Sequence, residues 1–192
     1  MLIILLLFLL LIIYYRNVVE GYTSAKVYLV GDSIFNNIPY VPQGQDVFSY
    51  IKKKNPRAVM VAVDNSTVDD VYSQLDKINV TSNDKVFLSI GGNDILNGTP
   101  ITELMNKYRD VLSSIKNGRI VLCDIYYPPQ MKHYYPIIKK WNTFIHSFSK
   151  RYDIKKISVS MNLDEYFTHV IEPSAIGSVV IADTICSGGL CN

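Results

Sequence analysis

Short apolar runs alternate along the chain with stretches of helical periodicity, and this alternation restricts the fold more than any other feature of the sequence. Nearly continuous apolar runs predict strands buried on both faces, and apolar residues three and four positions apart predict amphipathic helices. The predicted strands are residues 26–30, 58–63, 85–90, 119–124 and 156–160, and the predicted helices are residues 67–77, 101–115, 136–152 and 174–185. Because strands that alternate with helices form right-handed βαβ units, we predict a three-layer α/β/α domain with a mostly parallel five-stranded sheet.

The first residues differ from the rest of the chain. Residues 2–13 are all Leu, Ile or Phe, and Tyr14, Tyr15 and Arg16 follow them. Counted through Tyr15, a helix of this segment would be about 22 Å long, which is short for a bilayer core of about 30 Å but suits the apolar part of a signal peptide. We predict that residues 1–22 are a hydrophobic signal peptide or an uncleaved membrane anchor, and that residues 23–192 form the folded domain. Both interpretations place the protein in the secretory pathway or at a membrane.

Composition and charge limit the classes of partner. The chain has 192 residues, of which 48% are apolar, and a formal net charge of +2. These values suit one globular domain with a sizeable core. The lysine runs lack the interleaved aromatic residues of a nucleic-acid surface, so we expect no nucleic-acid partner.

The three cysteines predict no metal site. Cys123 lies in an apolar run and is expected to be a buried thiol. Cys186 and Cys191 either pair in an oxidising compartment or remain free thiols of the tail. No group of His and Cys residues has the spacing of zinc ligands.

Polar residues follow three of the predicted strands and precede the last predicted helix. Ser33 follows the first strand, residues 64–67 follow the second, residues 91–94 follow the third, and residues 169–173 come before the last helix. Ligands bind outside the carboxyl ends of parallel strands, so we expect these four segments to meet at one edge of the sheet. Ser33 is then a candidate nucleophile, although a serine in such a turn also serves as a helix cap.

The four segments together resemble the sequence blocks of the SGNH/GDSL-type hydrolases. Gly31-Asp-Ser33 resembles the first block, residues 63–71 the second, Gly91-Gly-Asn-Asp94 the third, and residues 172–182 the last. The resemblance covers residues 26–185 and implies a flavodoxin-like SGNH hydrolase fold. It also implies a serine esterase that transfers an acyl group, such as acetyl, to Ser33 and then to water, without a metal or organic cofactor.

The resemblance also implies the oxyanion donors and the class of substrate. The donors would be the amide of Ser33, the amide of Asn65 and the side chain of Asn93. The family usually has Gly at the position of Asn65, and Asn tolerates a left-handed backbone better than most residues. The substrate would be a small-molecule, glycan or lipid ester.

The last block departs from the family pattern, which is Asp-x-x-His-Pro. The frame reads His169-Val-Ile-Glu172-Pro173, so Glu172 stands in the place of the general base and His169 in the place of the acid that orients it. Three interpretations remain open. Glu172 takes the proton of Ser33 directly, or His169 reaches Ser33 while Glu172 orients the imidazole, or the site is catalytically inactive and the domain binds a glycan or acyl ligand.

The remaining candidates come from a loop and a helix. His133 lies in the tyrosine-rich loop of residues 126–135 and is an alternative base if this loop folds over Ser33. The tyrosines of the loop either line a substrate cleft or pack the loop on the surface. His146 lies in a predicted helix and is expected to be structural. A nucleotide-binding flavodoxin-like protein would need a Gly-rich phosphate loop after the first strand, which the sequence lacks.

Overall fold

The computed structural model describes residues 25–191 and the single residue Ile12. The signal peptide or membrane anchor predicted for residues 1–22 therefore lies outside the described residues, apart from Ile12. In the described part, none of the helices has both the length and the apolarity that crossing a bilayer requires.

Five strands form a parallel sheet. They are β1 (Val27–Gly31), β2 (Val59–Met60), β3 (Lys85–Ser89), β4 (Arg119–Cys123) and β5 (Asp153–Lys155). Their order across the sheet is β2-β1-β3-β4-β5, and each neighbouring pair is parallel. This is the flavodoxin-like order, so the predicted fold class is confirmed. The chain goes from β1 to β2 on one side and returns to β3 on the other, which opens a crevice outside the carboxyl ends of β1 and β3.

Helices cover both faces of this sheet. They are α1 (Val47–Lys54), α2 (Val71–Leu75), α3 (Gly92–Leu96), α4 (Ile101–Ser114), α5 (Tyr135–His146), α6 (Ile157–Ser160) and α7 (Ala175–Cys186). Side chains of α1, α6 and α7 pack with Val27 and Leu29 on one face, and those of α2, α4 and α5 pack with Tyr28 and Val30 on the other. The alternating side chains of β1 thus enter two separate apolar cores, as a strand with both faces covered requires.

A small antiparallel hairpin lies between α6 and α7. It consists of β6 (Phe167–Thr168) and β7 (Glu172–Pro173). The hydroxyl of Tyr126, which follows β4, donates a hydrogen bond to the carbonyl of Ile171 at 2.8 Å. The side-chain amide of Asn37, which follows β1, donates to the carbonyl of Pro173 at 2.9 Å. These bonds hold the hairpin against the carboxyl edge of the sheet.

The strand predicted at residues 156–160 is wrong. The last strand of the sheet is β5, and residues Ile157–Ser160 form the short helix α6 instead. The carboxylate of Asp124 accepts hydrogen bonds from the amide of Ser158 at 2.8 Å and from its hydroxyl at 2.6 Å. This capping stabilises a helical turn where the apolar spacing alone resembled a strand.

Other predicted elements differ from the structure in extent. The second strand is only β2, because the amides of Val61 and Ala62 both donate to the carbonyl of Leu29 and the chain then leaves the ladder. The helix predicted at 67–77 divides into a 3-10 helix, Val68–Asp70, and α2, and the helix predicted at 136–152 corresponds to α5, which ends at His146. The helix α1, which lies between the first two predicted strands, was not predicted from the sequence.

The cysteines take one of the two arrangements that the sequence left open. Cys186, the last residue of α7, forms a disulfide with Cys191, and Cys123 is a buried free thiol.

Close packing requires the glycine that ends β1. Gly31 has a φ of 144°, and a Cβ at this position would lie 1.8 Å from the carbonyl oxygen of Ser89 in β3. The side chain of Gln74 on α2 accepts a hydrogen bond from the amide of Gly31 at 2.8 Å and donates one to its carbonyl at 2.8 Å. The backbone just before Ser33 is therefore fixed by both β3 and α2.

We expect Gly31→Ala to lower the free energy of unfolding by more than about 4 kcal/mol or to prevent folding, because the new methyl group meets backbone that cannot move aside. Gly44→Ala is the matched control, since Gly44 also has a positive φ, 78°, but a Cβ there would meet no atom within 4 Å. Its cost should be only about 1–2 kcal/mol of backbone strain. Urea denaturation followed by circular dichroism measures both, and equal losses would contradict this explanation.

Candidate active site

Ser33 lies in a tight turn directly after β1. The carbonyl of Asp32 accepts hydrogen bonds from the amides of Phe35 and Asn36, both at 3.1 Å. The side chain of Asp32 accepts a further bond from the amide of Ile34 at 3.0 Å. Ser33 is 8% exposed, so its hydroxyl lies in a largely desolvated position at the carboxyl edge of the sheet.

Asn65 occupies the neighbouring turn after β2. It is exposed and has a φ of 62°, the left-handed conformation that favours glycine but that asparagine tolerates. The side-chain amide of Asn36 donates to the carbonyl of Ala62 at 3.1 Å, which ties the turn around Ser33 to this second segment.

Asn93 lies in the first turn of α3, directly after β3. Gly91 precedes this helix with a φ of 107°. The side-chain amide of Asn93 donates a hydrogen bond to the carbonyl of Ser66 at 2.9 Å, so the second and third segments meet. An asparagine amide carries two donor hydrogens, and this bond uses one of them.

Glu172 is the side chain that faces Ser33. It belongs to β7 and is only 7% exposed, and its carboxylate interacts with the hydroxyl of Ser33. Burial raises the pKa of Glu172, the interaction with the Ser33 hydroxyl lowers it, and the nearby charge of Asp64 raises it, with a net increase. The Oε2 atom of Glu172 is buried and has no hydrogen-bond partner in the described part of the protein.

His169 is not brought to Ser33. It lies in the exposed turn of the β6–β7 hairpin with a φ of 44°, and Val170 beside it has a φ of 72°. The imidazole packs against the ring of Tyr40, with 5.6 Å between ring centroids. Within residues 25–191, no hydrogen bond joins the imidazole to Ser33 or Glu172.

The other two histidines also lie away from the serine. His133 is exposed in the 3-10 helix Pro129–Tyr134 and its ring contacts that of Tyr134. The Nε2 atom of His146 lies 2.9 Å from the Oδ2 atom of Asp124, the residue that caps α6. His146 therefore has a structural role, as the sequence predicted.

Carboxyl groups surround the serine. Burial raises the pKa of Asp32 to about 7, and the charges of Glu172 and Asp94 add to this increase. Asp94 is also buried, and its Oδ2 atom accepts a hydrogen bond from the amide of Val68 at 3.0 Å. Asp32 and Asp94 thus accept hydrogen bonds from backbone amides at a turn and at the start of a helix, as acidic residues at such positions usually do. Among residues 25–191, no group of three or more His, Cys, Asp and Glu side chains is placed to bind a metal ion.

Sequence reasoning did not identify a tyrosine at the mouth of the site. The hydroxyl of Tyr40 donates a hydrogen bond to Asp64 at 2.7 Å, and this bond is the main cause that raises the pKa of Tyr40 to about 12. The sequence gives Tyr40 no signal beyond its place between the first two predicted strands, which does not single out one residue.

A narrow cavity of about 50 Å³ opens beside Ser33. Asp32, Ser33 and Asn93 supply polar atoms to its wall, and the remaining wall is apolar or aromatic. The apolar and aromatic lining includes Ile34, Ile95, Leu96, Ile125, Tyr126, Met131, Tyr134, Ile138 and Ile171. In the tyrosine-rich loop, Tyr126 and Tyr134 line this cavity, whereas the rings of Tyr127 and Tyr135 pack on each other.

Known structures share this fold. A member of the lipolytic protein G-D-S-L family from Veillonella parvula matches with a TM-score of 0.75 at 14% identity, covering 85% of this chain and 97% of that chain. The acetylxylan esterase Axe2 from Geobacillus stearothermophilus matches with a TM-score of 0.68 at 13% identity, covering 85% and 93%. The acetyl xylan esterase AlAXEase matches with a TM-score of 0.70 at 15% identity, covering 84% and 98%.

These comparisons define the class of fold. No protein-family model matches the chain, and no curated protein matches its sequence. Solved members of the G-D-S-L lipolytic class and esterases are its structural neighbours, and the α/β fold that the SGNH/GDSL resemblance implied is confirmed.

The buried carboxyl of Asp32 should make stability depend on pH. Its pKa is about 7 in the folded protein and about 3.8 when exposed, so the folded state binds the proton more tightly and loses stability as the pH rises through this interval. Asp32→Asn keeps an acceptor for the amide of Ile34 and removes the ionisation. We expect the variant to gain stability relative to the natural protein between about pH 4 and pH 7, by up to about 4 kcal/mol, with no further gain above pH 7. A difference that does not change with pH, measured by urea denaturation, would contradict the assignment.

Proposed function

We propose that the protein is a serine ester hydrolase in which Ser33 is the nucleophile and Glu172 is the general base. The observation that carries this proposal is the proximity of the Ser33 hydroxyl to the buried carboxylate of Glu172, with which it interacts, at an edge of the sheet that also holds Asn65 and Asn93. The G-D-S-L lipolytic protein and the acetyl xylan esterases among the structural neighbours support the same reaction class.

The reaction would proceed through an acyl-enzyme. The Oγ atom of Ser33 attacks the ester carbonyl carbon while its proton passes to Glu172, and the carbonyl oxygen becomes an oxyanion. The amides of Ser33 and Asn65 and the second side-chain donor of Asn93 would stabilise this oxyanion. Collapse of the intermediate releases the alcohol, which takes the proton from Glu172. Water then attacks the acyl-enzyme, gives its proton to Glu172, and the acid leaves as Ser33 regains its hydrogen.

Because it is buried, Glu172 is better suited to act as a general base than an exposed carboxylate would be. A base works best when its pKa lies near the working pH, and burial raises the pKa of this carboxyl group. The Oε2 atom has no partner in the described residues, so one carboxylate oxygen is uncommitted to the surrounding structure. This scheme therefore needs no imidazole. His169 instead packs against Tyr40 at the exposed edge of the site.

A second candidate is a binding protein with the same fold and no catalytic function. It is favoured by one observation, namely that no hydrogen bond joins Ser33 to a histidine among the described residues, whose histidines contact Tyr40, Asp124 and Tyr134 instead. In that case the pocket would hold a glycan or acyl ligand without turnover.

Kinetics of variants with p-nitrophenyl acetate separate these candidates. We expect Ser33→Ala to abolish hydrolysis and Glu172→Gln to lower kcat by about 10²–10⁴-fold, the usual contribution of general acid–base catalysis. His169→Ala should retain the rate within about threefold, since the ring is exposed at the rim. The rate of the natural protein should rise with pH as Glu172 loses its proton, with a midpoint above the ordinary glutamate pKa.

Two results would contradict this role of Glu172. One is a loss of rate in His169→Ala with Glu172→Gln unaffected, which would favour the exchanged roles of the two residues. The other is the absence of Ser33-dependent hydrolysis in the folded protein, which would favour the binding protein.

We further propose that the protein enters the secretory pathway or is anchored in a membrane by residues 1–22. The apolar residues 2–13 support this, and the Cys186–Cys191 disulfide is of the kind found in oxidising compartments. The full chain, expressed in a secretory host, should appear in the medium without its first residues or in the membrane pellet after carbonate extraction. Removal of residues 1–22 should leave it in the cytosol. A full chain that stays soluble in the cytosol with its N-terminus intact would contradict the proposal.

A further inference from the structure

We propose that the cavity beside Ser33 binds the acyl group of the ester and selects short acyl chains of about two to four carbons. This inference rests on the proposed esterase function and adds the acyl class of the substrate. It assigns a role to Met131 and to the tyrosine-rich loop, which the catalytic scheme does not use.

The position of Glu172 decides which half of the ester enters the cavity. The base must give its proton to the oxygen of the leaving alcohol, so the alcohol has to lie next to Glu172. Ser33 and Asn93 line the cavity and Glu172 does not. The cavity therefore lies beside the nucleophile and an oxyanion donor, and not beside Glu172, where the alcohol leaves. This location matches that of the acyl group.

The chemistry of the wall suits a hydrocarbon chain. Beyond Ser33 and Asn93, the wall consists largely of Ile, Leu, Met, Pro and Tyr side chains. An acyl chain gains free energy by leaving water for such a surface, whereas a sugar ring would lose hydrogen bonds there. A glycan or another polar alcohol would instead lie outside the cavity, at the rim.

The volume limits the length of the chain. The cavity measures about 50 Å³, which is room for about three or four groups of the size of water or methyl. Sites for drug-sized ligands measure about 300–1,000 Å³, so a long fatty acyl chain would extend beyond this cavity. Met131 and Tyr134 from the 3-10 helix Pro129–Tyr134, together with Ile138 from α5, contribute to the wall that sets this limit.

A series of p-nitrophenyl acetate, butyrate and octanoate tests the inference in the full-length protein, with Ser33→Ala as the blank. We expect kcat/KM for acetate or butyrate to exceed that for octanoate by at least about tenfold, the scale on which pockets discriminate chain length.

Met131→Ala removes a half-buried side chain from the wall and should raise the octanoate-to-acetate ratio of kcat/KM by about fivefold or more. Met105→Ala is the matched control, because Met105 is also half-buried but lies on α4 outside the cavity, and the ratio should not change.

The possible outcomes separate the two proposals. Ser33-dependent hydrolysis with octanoate as good a substrate as acetate, or with the same ratio in folded Met131→Ala, overturns the acyl assignment and leaves the esterase proposal intact. No Ser33-dependent hydrolysis of any ester overturns the esterase proposal itself, and the acyl assignment with it.

Discussion

The site depends on one interaction, in which the hydroxyl of Ser33 lies close enough to the carboxylate of Glu172 to lower its pKa. The two residues are far apart in the sequence, and they meet because the β6–β7 hairpin is held at the carboxyl edge of the sheet. Tyr126 and Asn37 hold the hairpin through its backbone carbonyls. In a largely buried setting such an interaction is electrostatically stronger than in water, and the same burial raises the pKa of Glu172.

Carboxyl groups give this site an electrostatic character unlike that of a serine–histidine pair. An imidazole that accepts a proton becomes a cation, whereas in the proposed mechanism Glu172 would become neutral, so no positive charge would form beside the oxyanion. Asp32 is nearby and buried, and its pKa of about 7 keeps much of it neutral below that pH, which reduces repulsion in the site. The cavity on the other side of Ser33 is mostly apolar, so the polar groups and the hydrocarbon wall meet at the serine itself.

The sequence predicted the layers and the polar segments but not all contacts among them. Continuous apolar runs and helical spacing were enough for the parallel sheet, and the polar residues after β1, β2 and β3 marked the edge where Ser33, Asn65 and Asn93 lie. The spacing of residues 169–173 could not decide between His169 and Glu172, since a short hairpin directs one outward and the other into the core. Tyr40 and the capping of α6 by Asp124 depend on tertiary contacts that leave no periodic signal.

Reaction of the folded protein with a fluorophosphonate, followed by mass spectrometry of its peptides, tests the central claim most directly. The account predicts one adduct per molecule, located on Ser33, and much slower labelling of Glu172→Gln, because the carboxylate removes the hydroxyl proton as the phosphorus–oxygen bond forms. A folded protein that gains no adduct on Ser33, or a Glu172→Gln variant that is labelled as fast as the natural protein, would contradict it.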